Sequence, residues 1–185
     1  MPRTLHWFKW ESALTWISGM FLLILVYYMG GLMLESGSEM SELTASLIGI
    51  GVLIFGYGAY HLLWNSPLGT NEIVGSIISF ILIIVLFVGL DLLFSSRAAM
   101  MHIGAVFGTI MTANVWMTIL PAQRKMIAAV EHNKSPDMSL ATRAKRCSKH
   151  NTYMSVPLIL IMISSHFPVT TYGNTYNWLI LGGFI

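Results

Sequence analysis

The chain has 185 residues, of which 55% are hydrophobic and 10% charged, with a formal net charge of +2. A soluble domain carries about 25% charged residues, so an ordinary water-soluble fold is excluded, and no nucleic-acid partner is expected. The single cysteine, Cys147, rules out an intrachain disulfide and a CxxCH attachment for covalent haem c.

The apolar residues come in long blocks, which predicts an all-α, polytopic transmembrane helix bundle forming one domain over residues 1–185. The opening stretch "MPRTLHWFKWES" is polar and aromatic, and the apolar block after it is too long for the core of a cleavable signal. Span one is predicted over 10–33, long enough to cross with some tilt. Span two follows at 44–64, span three at 73–94, span four at 98–120 and span five at 151–167. A sixth starts at 176 and covers about ten residues to 185, half of what a crossing needs. Between spans four and five lies a basic loop, 121–149.

Lysine and arginine placement predicts orientation. Arg3 and Lys9 precede span one, and Arg124, Lys125, Lys134, Arg143, Lys145, Arg146 and Lys149 lie in or beside the basic loop. These two segments fall on one side, and Arg97 stands alone on the other. The positive-inside rule then puts the N-terminus and loop 121–149 in the cytoplasm, with the acidic "LESGSEMSE" outside. Membrane lipid is the first expected partner, and the basic loop would sit beside anionic headgroups.

Ionisable side chains inside spans are costly and point to function. His102, one turn inside span four, and His166, at the end of span five, are expected at one depth on antiparallel neighbours. Such a pair can ligate haem iron from opposite sides. His61, in span two, and His150, at the mouth of span five, form a second possible level, while His6 lies outside the membrane. His150 and His166 are sixteen residues apart, about 24 Å and about 160° round a helix, so they cannot share one metal. The other reading of each is an imidazole hydrogen-bonded to backbone or water. Asn114 is either an interhelical hydrogen bond or part of a substrate pocket. Asp91 either pairs with Arg97 or forms a proton or anion site. Gly104, Gly108 and Thr112, and Gly49, Gly51, Gly56 and Gly58, mark either close helix packing or the approach of a flat macrocycle.

Four stretches are particular. "HWFKWESALTWISG" (6–19), "SPLGTNE" (66–72), "RAAMMHIGAVFGTIMTANVWMTILPAQRK" (97–125) and "SKHNTYMSVPLILIMISSHFP" (148–168) resemble the bacterial membrane-bound urate hydroxylase family, the urate oxidase N-terminal membrane domain. Nearly the whole chain is covered, and it looks like the central part of that domain, without the cytochrome c domain. The resemblance implies oxidation of urate to 5-hydroxyisourate in a bacterial inner membrane. Electrons would pass through haem b to a c-type cytochrome and the respiratory chain. His102, His150 and His166 lie in matching motifs as candidate haem ligands, with His61 in a looser match. Arg97 and Asn114 become the candidate residues for binding an anionic purine. The alternative is a non-catalytic membrane subunit of a larger respiratory or photosynthetic complex, its histidines making hydrogen bonds or touching that complex's pigments. Cytochrome c or other membrane subunits are the protein partners expected.

Overall fold

The computed structural model describes the backbone of residues 3–185 and side chains from Trp7 onward, so His6 lies outside the described side chains. Every regular element among these residues is helical. The order is α1 (Arg3–Leu23), α2 (Glu42–Asn65), α3 (Glu72–Asp91), α4 (Ser96–Ala113), α5 (Leu120–Glu131), α6 (Met138–Ile163) and α7 (Asn177–Phe184). Polar caps start them where the sequence offers a short side-chain acceptor. Ser41, Asn71, Ser95 and Asp137 each accept a hydrogen bond from the first turn of the helix that follows. Hydrogen bonds from the hydroxyl and N–H of Ser139 hold the Asp137 carboxyl below the ordinary carboxylate range.

Four helical stretches are long and apolar enough to cross a membrane: Trp7–Tyr28, Glu42–Asn65, Glu72–Asp91 and Ser96–Glu131. This is a membrane protein, but the five full spans read from the sequence are not all of that kind. Helix α6 starts well before the expected residue 151, and Arg143, Lys145, Arg146 and Lys149 load its first half. Its apolar part, 151–163, rises only about 20 Å, against a hydrocarbon core of about 30 Å. The sixth span is the eight-residue α7, packed on α3 and α6.

The expected loop 121–149 is mostly helix. Span four does not stop at 120: a π-helical segment, Asn114–Ile119, joins α4 to α5, and the helix runs on to Glu131. Pro121 was the natural stop, because proline clashes with the carbonyl one turn back. The wider π turn directly before it displaces that carbonyl, and the Leu120 N–H reaches back five residues to Val115 O. Only 132–137 turn the chain, with Asn133 at φ 54° ending α5. Cys147, expected in an open loop, is buried against Val115, Ile119 and Leu120. Span one ends earlier than predicted, in a π turn at Ile24–Tyr28.

Helix α4 is the hub. It packs against α1, α2, α3 and α6, and half of the apolar window it opens is buried, against about a fifth in the other three. The outward faces of those others are apolar, as Ile77, Ile81 and Val85 on α3 illustrate, which suits contact with lipid. Glycine allows the close approaches. A Cβ on Gly56 would lie 2.6 Å from Val106, and one on Gly104 would lie 2.9 Å from Ile161. Close packing, the plainer of the two readings of these stripes, is what those two glycines serve. Gly51, Gly58 and Gly108 face open space instead.

Candidate functional site

Helices α4 and α6 run antiparallel as neighbours: Gly104 meets Ile161 at one end, and Asn114 bonds Asn151 at the other. Three polar regions are built on this pair, two at the end that carries Arg97 and one at the basic end.

The first surrounds His102, which is 0% exposed. Its Nδ1 lies 2.7 Å from Ala98 O, one turn back, and its Nε2 lies 3.2 Å from the Tyr28 hydroxyl. Donation from Nδ1 to the carbonyl leaves Nε2 to accept from Tyr28. Phe94 and Tyr27 close the ring's surroundings at 5.4 and 6.3 Å between centroids. Gly49 completes the wall: a Cβ there would stand 2.7 Å from Nε2 and 2.8 Å from the Tyr28 oxygen. Both ring nitrogens are therefore used.

His166 is in a different setting. It is exposed on the 3₁₀ turn Ser164–His166, in contrast to the buried His102. As placed, the two do not fit a haem held between them, because Tyr28 and Gly49 occupy the space next to Nε2. The second level separates similarly. His61 is exposed on α2 beside Tyr57, at 5.8 Å between centroids, whereas His150 is buried and turns to Tyr60 and Trp64. Among the described residues, no group of three or more His, Cys, Asp and Glu is placed to hold a metal ion.

The second region is a polar cavity of about 430 Å³ at the start of α4. Arg97, Asp91, Glu35, Ser95, Ser96 and Asn177 contribute to its wall. The expected Asp91–Arg97 ion pair does not form; the Asp91 carboxylate instead accepts from Asn177 Nδ2 at 3.2 Å to both oxygens. Arg97 Nε is buried and has no hydrogen-bond partner among the described residues. Its guanidinium carbon sits 6.0 Å from the Tyr27 ring centre. Ser95 fixes this end by donating from its N–H to Met33 O and from its hydroxyl to Leu32 O, both at 2.9 Å, which ties α4 to the segment after α1.

The third region lies at the basic end. Asn114 donates one bond to the Tyr60 hydroxyl and one to Asn151 Oδ1, both at 2.9 Å. Asn151 donates onward to Met111 O at 3.0 Å, and the Tyr60 hydroxyl lies 2.9 Å from His150 Nδ1. The Trp64 ring packs against His150 at 4.0 Å between centroids, tilted by 49°. Arg146 donates to Trp64 O at 2.8 Å, a carbonyl that the end of α2 leaves free, and to Gly69 O at 3.3 Å in the 3₁₀ turn Pro67–Thr70 that follows. The exposed Lys149–Glu72 pair links α6 to α3, and its hydrogen bond and charge hold the Lys149 ammonium above the ordinary lysine value.

So the structure joins Asn114 to His150, and separates both from Arg97 by about 25 Å of helix. Asn114 makes interhelical hydrogen bonds, one of the two roles read for it. Tyr60, Tyr28, Asn151 and Asn177 are the polar partners that sequence reading missed. Asn151 and Tyr60 are each adjacent in sequence to a histidine already singled out, and that adjacency was the available signal.

No curated protein and no solved structure matches the chain. A family model does, the one described as urate oxidase N-terminal, and it covers residues 1–185. The chain belongs to the urate oxidase N-terminal family.

Proposed function

We propose that this chain is the membrane-embedded part of an enzyme that oxidises urate to 5-hydroxyisourate, with the purine held in the polar cavity beside Arg97. Family membership supports the substrate. The observation that carries the site is the Arg97 guanidinium set in a wall of hydrogen-bonding side chains, with no ion pair to Asp91. Urate at neutral pH is a planar monoanion with an oxygen edge and several N–H groups. A guanidinium can pair with the oxygens in a bidentate fork, which lysine cannot reproduce. Asp91 and Glu35 bring two carboxylates against one cation, so the wall suits a ligand that donates as well as accepts, rather than a simple anion. Hydroxylation at C5 converts urate and water to 5-hydroxyisourate, two protons and two electrons. A c-type cytochrome is the proposed acceptor, and no electron step is routed through His102 or His166. The proposed orientation has the N-terminus and the α5–α6 turn in the cytoplasm of a bacterial inner membrane.

The test is urate oxidation in membranes carrying the full protein. Arg97→Ala should raise KM about tenfold or more, the scale of a lost charged hydrogen bond. Arg97→Lys should recover only part of that loss. Unaltered kinetics in both variants would remove Arg97 from the site. Orientation is read separately with Ser135→Cys in a Cys147→Ser background. An impermeant thiol reagent should label it only after right-side-out vesicles are opened.

A further inference from the structure

A second cavity, of about 370 Å³, lies between α2, α3, α4, α6 and α7 near the basic end. Its wall is apolar and aromatic over most of its extent, with Phe55, Phe80 and Phe107 among its residues, and one corner is polar. Ser76, Ser79 and Tyr153 add hydroxyls to the wall, and at that corner Tyr60 and His150 are hydrogen-bonded to each other. The Tyr60 oxygen already accepts from Asn114, so its single proton is directed at His150 Nδ1. A neutral imidazole that accepts at Nδ1 carries its proton on Nε2. No described residue bonds that Nε2, although His150 is only 9% exposed. The chain Asn114–Tyr60–His150 thus fixes the tautomer of an imidazole in the wall of a largely apolar chamber among membrane-crossing helices.

We infer that this chamber binds the ring of a lipid-soluble quinone, with a ring carbonyl accepting from His150 Nε2. A quinone ring offers flat apolar faces to the aromatic wall and a carbonyl to the donor. A lipid acyl chain would fill the same volume but offer that N–H no acceptor. The site is independent of the urate reading, since it lies at the other end of α4 and rests on its own hydrogen bonds.

The experiment uses the full protein in phosphatidylcholine nanodiscs, titrated with decylubiquinone, with tryptophan fluorescence as readout. Saturable quenching is expected, and ringless 1-dodecanol should not displace the ligand. His150→Phe, which removes the donor, should weaken binding about tenfold. Ala59→Phe, which fills the chamber from α2, should abolish saturation while helical circular dichroism is retained. Ala59→Phe also carries the test if His150→Phe does not fold. Non-saturable quenching, quenching unchanged in Ala59→Phe, or equal displacement by 1-dodecanol would overturn the assignment.

Discussion

His102 and His150 are both buried imidazoles on packed helices, near opposite ends of the α4–α6 pair. At His102 a backbone carbonyl and the Tyr28 hydroxyl take both ring nitrogens, and Gly49 closes the space beside them. At His150 a tyrosine takes one nitrogen, and the ring borders a cavity. Burial is similar, yet one imidazole is a finished packing element and the other keeps a donor in reserve. A buried polar group is informative about ligands only once its hydrogen bonds have been counted.

The sharpest way to break this contrast is at glycine. Gly49→Val drives a side chain into His102, Tyr28 and Met33, and should leave little folded protein; Gly51→Val, which meets nothing within 4 Å, should fold. Yield of monodisperse protein in detergent checks both. If Gly49→Val folds normally, the His102 pocket is looser than its geometry implies and a macrocycle could enter it.

Next in size is the histidine pair at the Arg97 end. His102→Ala should lower the free energy of unfolding by about 2–4 kcal/mol, combining a cavity with a lost hydrogen bond. His166→Ala, on an exposed turn, should change it by less than about 0.5 kcal/mol. A haem shared by the two predicts otherwise: each variant would then abolish the same low-spin signal. Reduced-minus-oxidised spectra beside unfolding curves separate the two outcomes.

At the basic end, Asn114→Leu leaves Tyr60 and Asn151 without their donor, and should cost about 1–3 kcal/mol. It should also free the Tyr60 hydroxyl, so that decylubiquinone binding weakens although Asn114 does not line the chamber. Unchanged binding would detach the relay from the cavity. The smallest effect is expected at the water-facing side of the same end. Glu72→Gln removes the Lys149 ion pair, and because both groups are fully exposed the unfolding midpoint should not move resolvably.

Much of the scaffold was legible in the sequence. Long apolar blocks have no stable alternative to helices in lipid, because every backbone polar group must be paired within the segment. Caps such as Ser41 and Asn71 then set where α2 and α3 begin, within two residues of the predicted starts. Direction round the helix was not legible. His166 and His61 are exposed while His102 and His150 are buried, and the π segment before Pro121 carried α4 through what read as its end. Those outcomes depend on which neighbour each face meets. That choice belongs to packing among α1, α2, α4 and α6, where a missing Cβ at Gly49 admits an imidazole and an asparagine at 114 finds a tyrosine. Local sequence fixes a helix and its length through hydrogen bonds within the segment; only contacts between segments decide which of its polar groups are left with a bond to give.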